Sequence, residues 1–160
     1  MFAFRNPWRL SSVSADLHQQ LEVEGIIFLA DRVGVSRHFS GHVPGVYSGY
    51  DAARYRGAFA FTGSRVVATL PTSGDPGLRA ADCGWESPGG PAVLTIAADG
   101  LRIELDLRAV DHAFSGTMSL RYRAAIPDEI LHQVPKPTLR VPIGPVFVYR
   151  AAGVRPRSNG

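Results

Sequence analysis

The sequence predicts a mainly β chain: a single antiparallel β-barrel or bent β-sandwich of seven or eight strands, with short helices near both ends. Three observations predict it. Leu101, Ile103, Leu105 and Leu107 alternate with Arg102, Glu104, Asp106 and Arg108, the period of two of a half-buried strand. Two such patterns close on themselves through turn residues. Asp99-Gly100 joins Ala92–Ile96 to the strand just named, and Thr62-Gly63-Ser64 joins Phe59 and Phe61 to Val66, Ala68 and Leu70. Finally, the strands follow one another too closely, with too few helical segments, for parallel βαβ crossovers.

Taken in order, Ser14 caps a short helix over Ala15–Val23, with Leu17 and Leu21 on one face, and Gly25 ends it. Ile26–Val35 reads as a long strand with Ile27, Leu29, Asp31, Val33 and Val35 on one face, and Asp31 marks a bulge or a barrel rim. Ser36–Arg56 has no clear period and carries Gly41, Pro44, Gly45 and Gly49, so it is expected as a long functional loop. After the hairpin Gly57–Leu70 come a turn at Pro71–Gly77, a short strand within Leu78–Trp85 and the hairpin 92–108. Gly116–Arg123 is a strand with Met118, Leu120 and Tyr122 inward and Ser119, Arg121 and Arg123 outward. Pro127–Val134 reads as a short helix, with Asp128 and Glu129 in its first turn. Pro145–Arg150 reads as a last strand and 154–160 as a disordered tail.

The chain has 160 residues, 45% of them hydrophobic, which suits one β domain over 1–153 with an N-terminal aromatic segment. No apolar run reaches the roughly 18 residues of a transmembrane helix, and Pro7 interrupts the stretch where an export signal would run. Cys83 is the only cysteine, so an internal disulfide and a Cys-rich metal site are excluded and a cytoplasmic location is expected. The formal charge is +3. The basic residues are spread along the chain, so no nucleic-acid partner is expected. All of them but Lys136 are arginine, a bias matching a GC-rich bacterial genome.

The segment Gly57-Ala-Phe-Ala-Phe-Thr-Gly-Ser-Arg65-Val-Val-Ala resembles the strand–turn–strand of bacterial pleckstrin-homology-like and GRAM-type domains. In those families an apolar strand ends in a Thr and an Arg opens the next strand, places held here by Thr62 and Arg65. The resemblance covers about fourteen residues and implies a small, partly open β-barrel with a C-terminal helix. Its members include lipid-binding, peptide-binding and structural domains.

Chemistry-bearing residues are sparse. His38 and His42 stand at i and i+4, but among Ser, Gly and Pro that spacing does not place them on one helix face, so no metal site is expected. Cys83 is expected as a small strand residue rather than a nucleophile. Glu104/Asp106 and Asp128/Glu129 are a wet strand face and a helix N-terminus. The segment Tyr47–Arg56 is the most suggestive. Tyr47, Tyr50 and Tyr55 supply flat amphipathic surface, and Arg54 and Arg56 supply anion-binding forks. With His38 and His42 they form a candidate ligand site. The alternative is a lid of tyrosines, with the arginines pairing to Asp51. Phe2, Phe4 and Trp8 with Arg5 and Arg9 suggest either a strap or weak docking to a membrane surface. His38-Phe39-Ser40-Gly41 and His112-Ala113-Phe114-Ser115-Gly116 echo each other, which is meaningful only if the two segments meet.

The function expected is a non-catalytic binding module, without cofactor, that recognises a protein or small anionic ligand through 36–56, as a monomer or homodimer. One alternative is a carrier of a small apolar ligand or lipid, with Phe59, Phe61, Leu101, Ile103 and Leu105 lining a hollow interior. A small hydrolase is the third. It requires at least two of His38, His42, Cys83, Asp111 and His112 to converge in a cleft.

Overall fold

Residues 12–153 are described by the structure, a computed structural model. The aromatic N-terminal segment and the tail 154–160 lie outside them. Helix α1 (Ala15–Glu24) leads into two long strands, β1 (Ile26–Val43) and β2 (Val46–Thr62). These are followed by β3 (Arg65–Thr69), β4 (Arg79–Gly84), β5 (Ala92–Ala97), β6 (Gly100–Asp106), α2 (Leu107–Val110), β7 (Ser115–Arg123), α3 (Asp128–Gln133), β8 (Thr138–Val141) and α4 (Pro145–Ala151). All eight strands form one antiparallel sheet in the order β4-β3-β2-β1-β7-β6-β5-β8. The sheet curls nearly closed, bringing edge strands β4 and β8 together. Lys136 Nζ to Glu86 (3.6 Å) ties the two sides there.

Alternation decides what each face does. In β2 and β3, Phe59, Phe61, Val66 and Ala68 turn into the barrel. Ala58, Ala60 and Val67 turn out and receive Val13, Leu17 and Leu21 beneath α1. The small alanines let the helix lie close to the sheet. Ser14 caps it, accepting from the Leu17 N–H (3.1 Å), and Gly25 (φ 89°) ends it.

The inside is built from rings. Phe28, Phe59 and Phe61 meet at centroid distances of 5.4–6.1 Å, Trp85 lies 6.0 Å from Phe61, and Tyr122 stands edge-on to Phe59 at 6.0 Å. Leu101, Ile103 and Leu105 belong to the same buried cluster. Two polar atoms among these rings are paired: Trp85 Nε1 donates to the Thr62 carbonyl (2.8 Å) and Tyr122 Oη to the Thr69 carbonyl (2.7 Å).

Four expectations are corrected. Ser36–Arg56 is not a loop: it is the far half of the β1–β2 hairpin, turning only at Pro44-Gly45. Its period is broken by register shifts between Phe39 and Gly41 and by an inward arginine at position 37. Pro145–Arg150 is helical. Pro145 opens α4, where a missing N–H costs nothing, and Phe147, Val148 and Ala151 bury one face, overriding the strand preference of its valines. Leu107 and Arg108 leave the alternating strand to start α2, capped by the Asp106 side chain accepting from the Arg108 N–H (3.2 Å). The five-residue face proposed for the first strand splits, because shifts fall between Ile26/Phe28 and Ala30/Val33. Ile27, Val33 and Val35 join the barrel core while Leu29 packs toward α1. Asp31 does mark a bulge, next to Arg32 at φ 51°.

Candidate functional site

The chemistry-bearing residues sort onto two sides of the same strands. Along β1, Val35, Arg37, Phe39 and Val43 are buried, while His38 and His42 are exposed. Arg54 and Arg56 on β2 and Arg121 and Arg123 on β7 are likewise exposed. The register places Arg54 and Arg121 on either side of Ser36. Arg56 lies opposite Gly34, and Gly34, Val35, Ser36, Arg54, Tyr55, Arg56 and Arg123 line one open recess of about 360 Å³. Neighbouring strands lie about 4.8 Å apart, so arginines on β2 and β7 flank β1 at roughly 10 Å, with only Gly34 and Ser36 between them. Their long side chains can lean together over a small floor.

The charge balance of this recess is one-sided. Among the described residues, none that lines it is acidic. Arg54 and Arg123 have no carboxylate within 4 Å among the described residues, and Arg56 donates to the Arg32 carbonyl (3.1 Å) instead. Arg121 is paired to Asp99 (2.8 Å), at the edge of the group. Guanidinium groups fork onto oxyanions with two parallel donors each, so the arrangement can hold an anion.

On the inner side, Arg37 is 2% exposed and lies between Ala53 of β2 and Leu120 of β7. One amino group pairs with Asp51, whereas Nε and Nη1 have no hydrogen-bond partner among the described residues. Asp51 therefore serves Arg37 and neither Arg54 nor Arg56. Tyr55 is half-buried, and its hydroxyl donates to the Ala151 carbonyl at the end of α4 (3.5 Å). Backbone pairing sets Tyr47 opposite His42. The side chains of Tyr47 and Tyr50 lie outside the described residues, so the six-residue site is only partly visible. Arg54 and Arg56 come together in the recess. His38, two residues beyond Ser36, lies opposite Ala52 and Ser119, and His42 sits further out opposite Ser115.

Arg123 was the residue that sequence reading missed. It stood as one outward residue of an ordinary strand, and only the β1–β7 pairing brings it beside Arg54 and Arg56.

Of the remaining candidates, Asp111 and His112 meet at 3.8 Å, and Cys83 stands apart from them and from His38. Cys83 pairs with Val66 at the sheet edge, three strands from His38, and burial pushes its thiol up in pKa. Asp111 and His112 follow α2, with His112 fully exposed. Among the described residues, no group of three or more His, Cys, Asp or Glu is placed to hold a metal ion, and no helix is long and apolar enough to cross a membrane.

Thr62 and Arg65 act within the fold. The Thr62 hydroxyl accepts from the Ser64 and Arg65 N–H groups (3.2 and 3.0 Å). Arg65 Nε donates to Glu24 of α1 (2.8 Å) and Nη1 to Asp82 of β4 (2.8 Å). Its bond to Arg65 holds the Glu24 carboxyl below its usual range.

Fold and recess together define a class: a barrel-like antiparallel β module with a cationic outer face. No family model matches the chain, and neither curated proteins nor solved structures gave a match.

Proposed function

We propose that the protein is a non-catalytic binding module that takes a small anionic ligand in the recess of Arg54, Arg56 and Arg123. The observation that carries this reading is the set of three arginines around Gly34 and Ser36 without an acidic residue in the lining. Such a cluster repels itself until an oxyanion or dissolved salt compensates it. The reading keeps the segment expected from the sequence but moves recognition from a loop tip to the outer face of a hairpin. Ring-to-ring packing of Phe59, Phe61 and Tyr122 supports a surface ligand over one carried inside. The likeness of the Gly57–Leu70 hairpin to pleckstrin-homology-like domains belongs to the same proposal. What supports it is a curled sheet with a short helix after its last strand.

Titration calorimetry with orthophosphate at low ionic strength tests the reading. The intact protein is expected to bind. A variant carrying Arg54→Ser and Arg123→Ser, both exposed, is expected to keep its fold and lose at least tenfold in affinity. Absence of binding by the intact protein, or equal binding by the variant, overturns it.

A further inference from the structure

The recess does not end at β7. Following the hydrogen-bonded register across the outer face, Arg54 lies opposite Ser36, Ser36 opposite Arg121, Arg121 opposite Arg102, and Arg102 opposite Thr95. These residues form one row across β2, β1, β7, β6 and β5. Arg56, opposite Gly34, and Arg123, opposite Gly100, lie in the adjacent row. Five arginines thus occupy a block three strand gaps wide and two rows deep, about 14 Å by 7 Å at strand spacing and rise. A second, smaller recess, lined by Thr95, Asp99, Arg102 and Arg121 among others, adjoins the first along β7.

The block has borders. Glu104 and Ser119 make up the next row, opposite each other and beside His38, and Asp106 follows opposite Thr117. Asp99 closes the far side through Arg121. A polyanion running along the strands would meet these carboxylates, whereas the row itself passes from Arg102 to Thr95 and Thr138, where the arginines end. Among the described residues the recesses offer no platform for stacked bases: the tyrosines beside them are Tyr55, half-buried and bonded to Ala151, and Tyr122, wholly buried. Base stacking on exposed aromatics is the usual companion of a single-strand track. A short chain of phosphoryl groups suits both the extent and the chemistry.

We infer that this face binds a linear oligophosphate of three or more phosphoryl groups, lying along the row from Arg54 to Arg102. The inference rests on the anion-binding reading above and names its ligand class. One end of the chain sits over Ser36 among Arg54, Arg56 and Arg123. The other end draws Arg121 from Asp99 and Arg102 from Glu104, whose present contact is a loose 3.8 Å. The oligophosphate can be free or the phosphate tail of a nucleotide, since the recognised chemistry is the same.

The test is a calorimetric ladder at constant ionic strength, without divalent cations: orthophosphate, pyrophosphate, tripolyphosphate, a nucleoside triphosphate and a single-stranded oligonucleotide. Tripolyphosphate is expected to bind at least tenfold tighter than orthophosphate. Arg102→Ser should weaken tripolyphosphate at least fivefold more than orthophosphate. A nucleoside triphosphate equal to tripolyphosphate supports recognition of the phosphates alone, and one bound tenfold tighter assigns the nucleotide as the source. Equal affinity for orthophosphate and tripolyphosphate overturns the inference while leaving the anion site standing. So does an oligonucleotide that binds more tightly than either triphosphate. If no phosphate binds at all, the proposed function falls as well.

Discussion

The hydroxyl of Tyr122 on β7 crosses the inside of the barrel and donates to the carbonyl of Thr69 on β3, at 2.7 Å. Burial pushes the phenol far up in pKa, so it remains a donor at any ordinary pH. Gly57 makes room for the contact, since a Cβ there would stand 2.4 Å from the Thr69 oxygen and 3.0 Å from the Tyr122 ring. Tyr122→Phe leaves a buried carbonyl without this donor and should cost about 1–3 kcal/mol. The shift in urea midpoint, at unchanged m-value, measures it.

A second crossing joins β1 to β7 near the hairpin end. Gly41 faces Gly116, the final residues of the two echoing Phe-Ser-Gly triplets, so these segments do meet. A Cβ on Gly41 would lie 2.0 Å from the Ser115 oxygen, and one on Gly116 would lie 1.9 Å from the Ser40 oxygen. Both glycines have positive φ, 144° and 94°. Alanine at either position should destabilise by more than about 2 kcal/mol and lower hydrogen-exchange protection in β1 and β7 first.

Arg37 and Asp51 make an asymmetric pair, one buried and one half-exposed. Removing only the carboxylate leaves a buried guanidinium without its counter-charge. Asp51→Asn should therefore destabilise by at least about 1 kcal/mol, while Arg37→Met, which removes the charge and both unpartnered donors, should be neutral or stabilising. Thermal melts of the two variants compare them directly.

The Glu24–Arg65 bond gives α1 a pH-dependent anchor. Glu24 has a lowered pKa in the folded chain. Its contribution is therefore complete above the ordinary carboxylate value of 4.5 and is lost as pH falls through the lower folded value. Glu24→Gln should weaken the docking of α1 by about 1 kcal/mol at neutral pH and flatten the acid limb of the stability profile. Exchange protection of the Leu17 and Leu21 amides, measured between pH 3 and 7, follows it.

Local sequence revealed those elements whose signals are local. The Asp99-Gly100 hairpin, the Ser14 cap and the alternation of β7 are each written in adjacent residues. The outer half of the long hairpin was hidden because Arg37 points inward where an apolar residue is expected, and a register shift precedes Gly41. Helix α4 was hidden because its valines favour strands, and burial of Phe147 and Val148 outweighs that preference. Two arginines of the recess, Arg54 and Arg56, were visible as a pair. Arg123 was not, because its place beside them depends on pairing between strands about ninety residues apart.

Oligophosphate binding on the outer face of β2, β1, β7 and β6 is read residue by residue by titrating the ¹⁵N-labelled protein with tripolyphosphate and following its amide and arginine side-chain resonances. Saturable shifts are expected at Gly34, Ser36, Arg54, Arg56, Arg102, Arg121 and Arg123, with little change at His42 or along α1. Shifts centred on the hairpin tip, on α1, or spread evenly over all exposed arginines would contradict it.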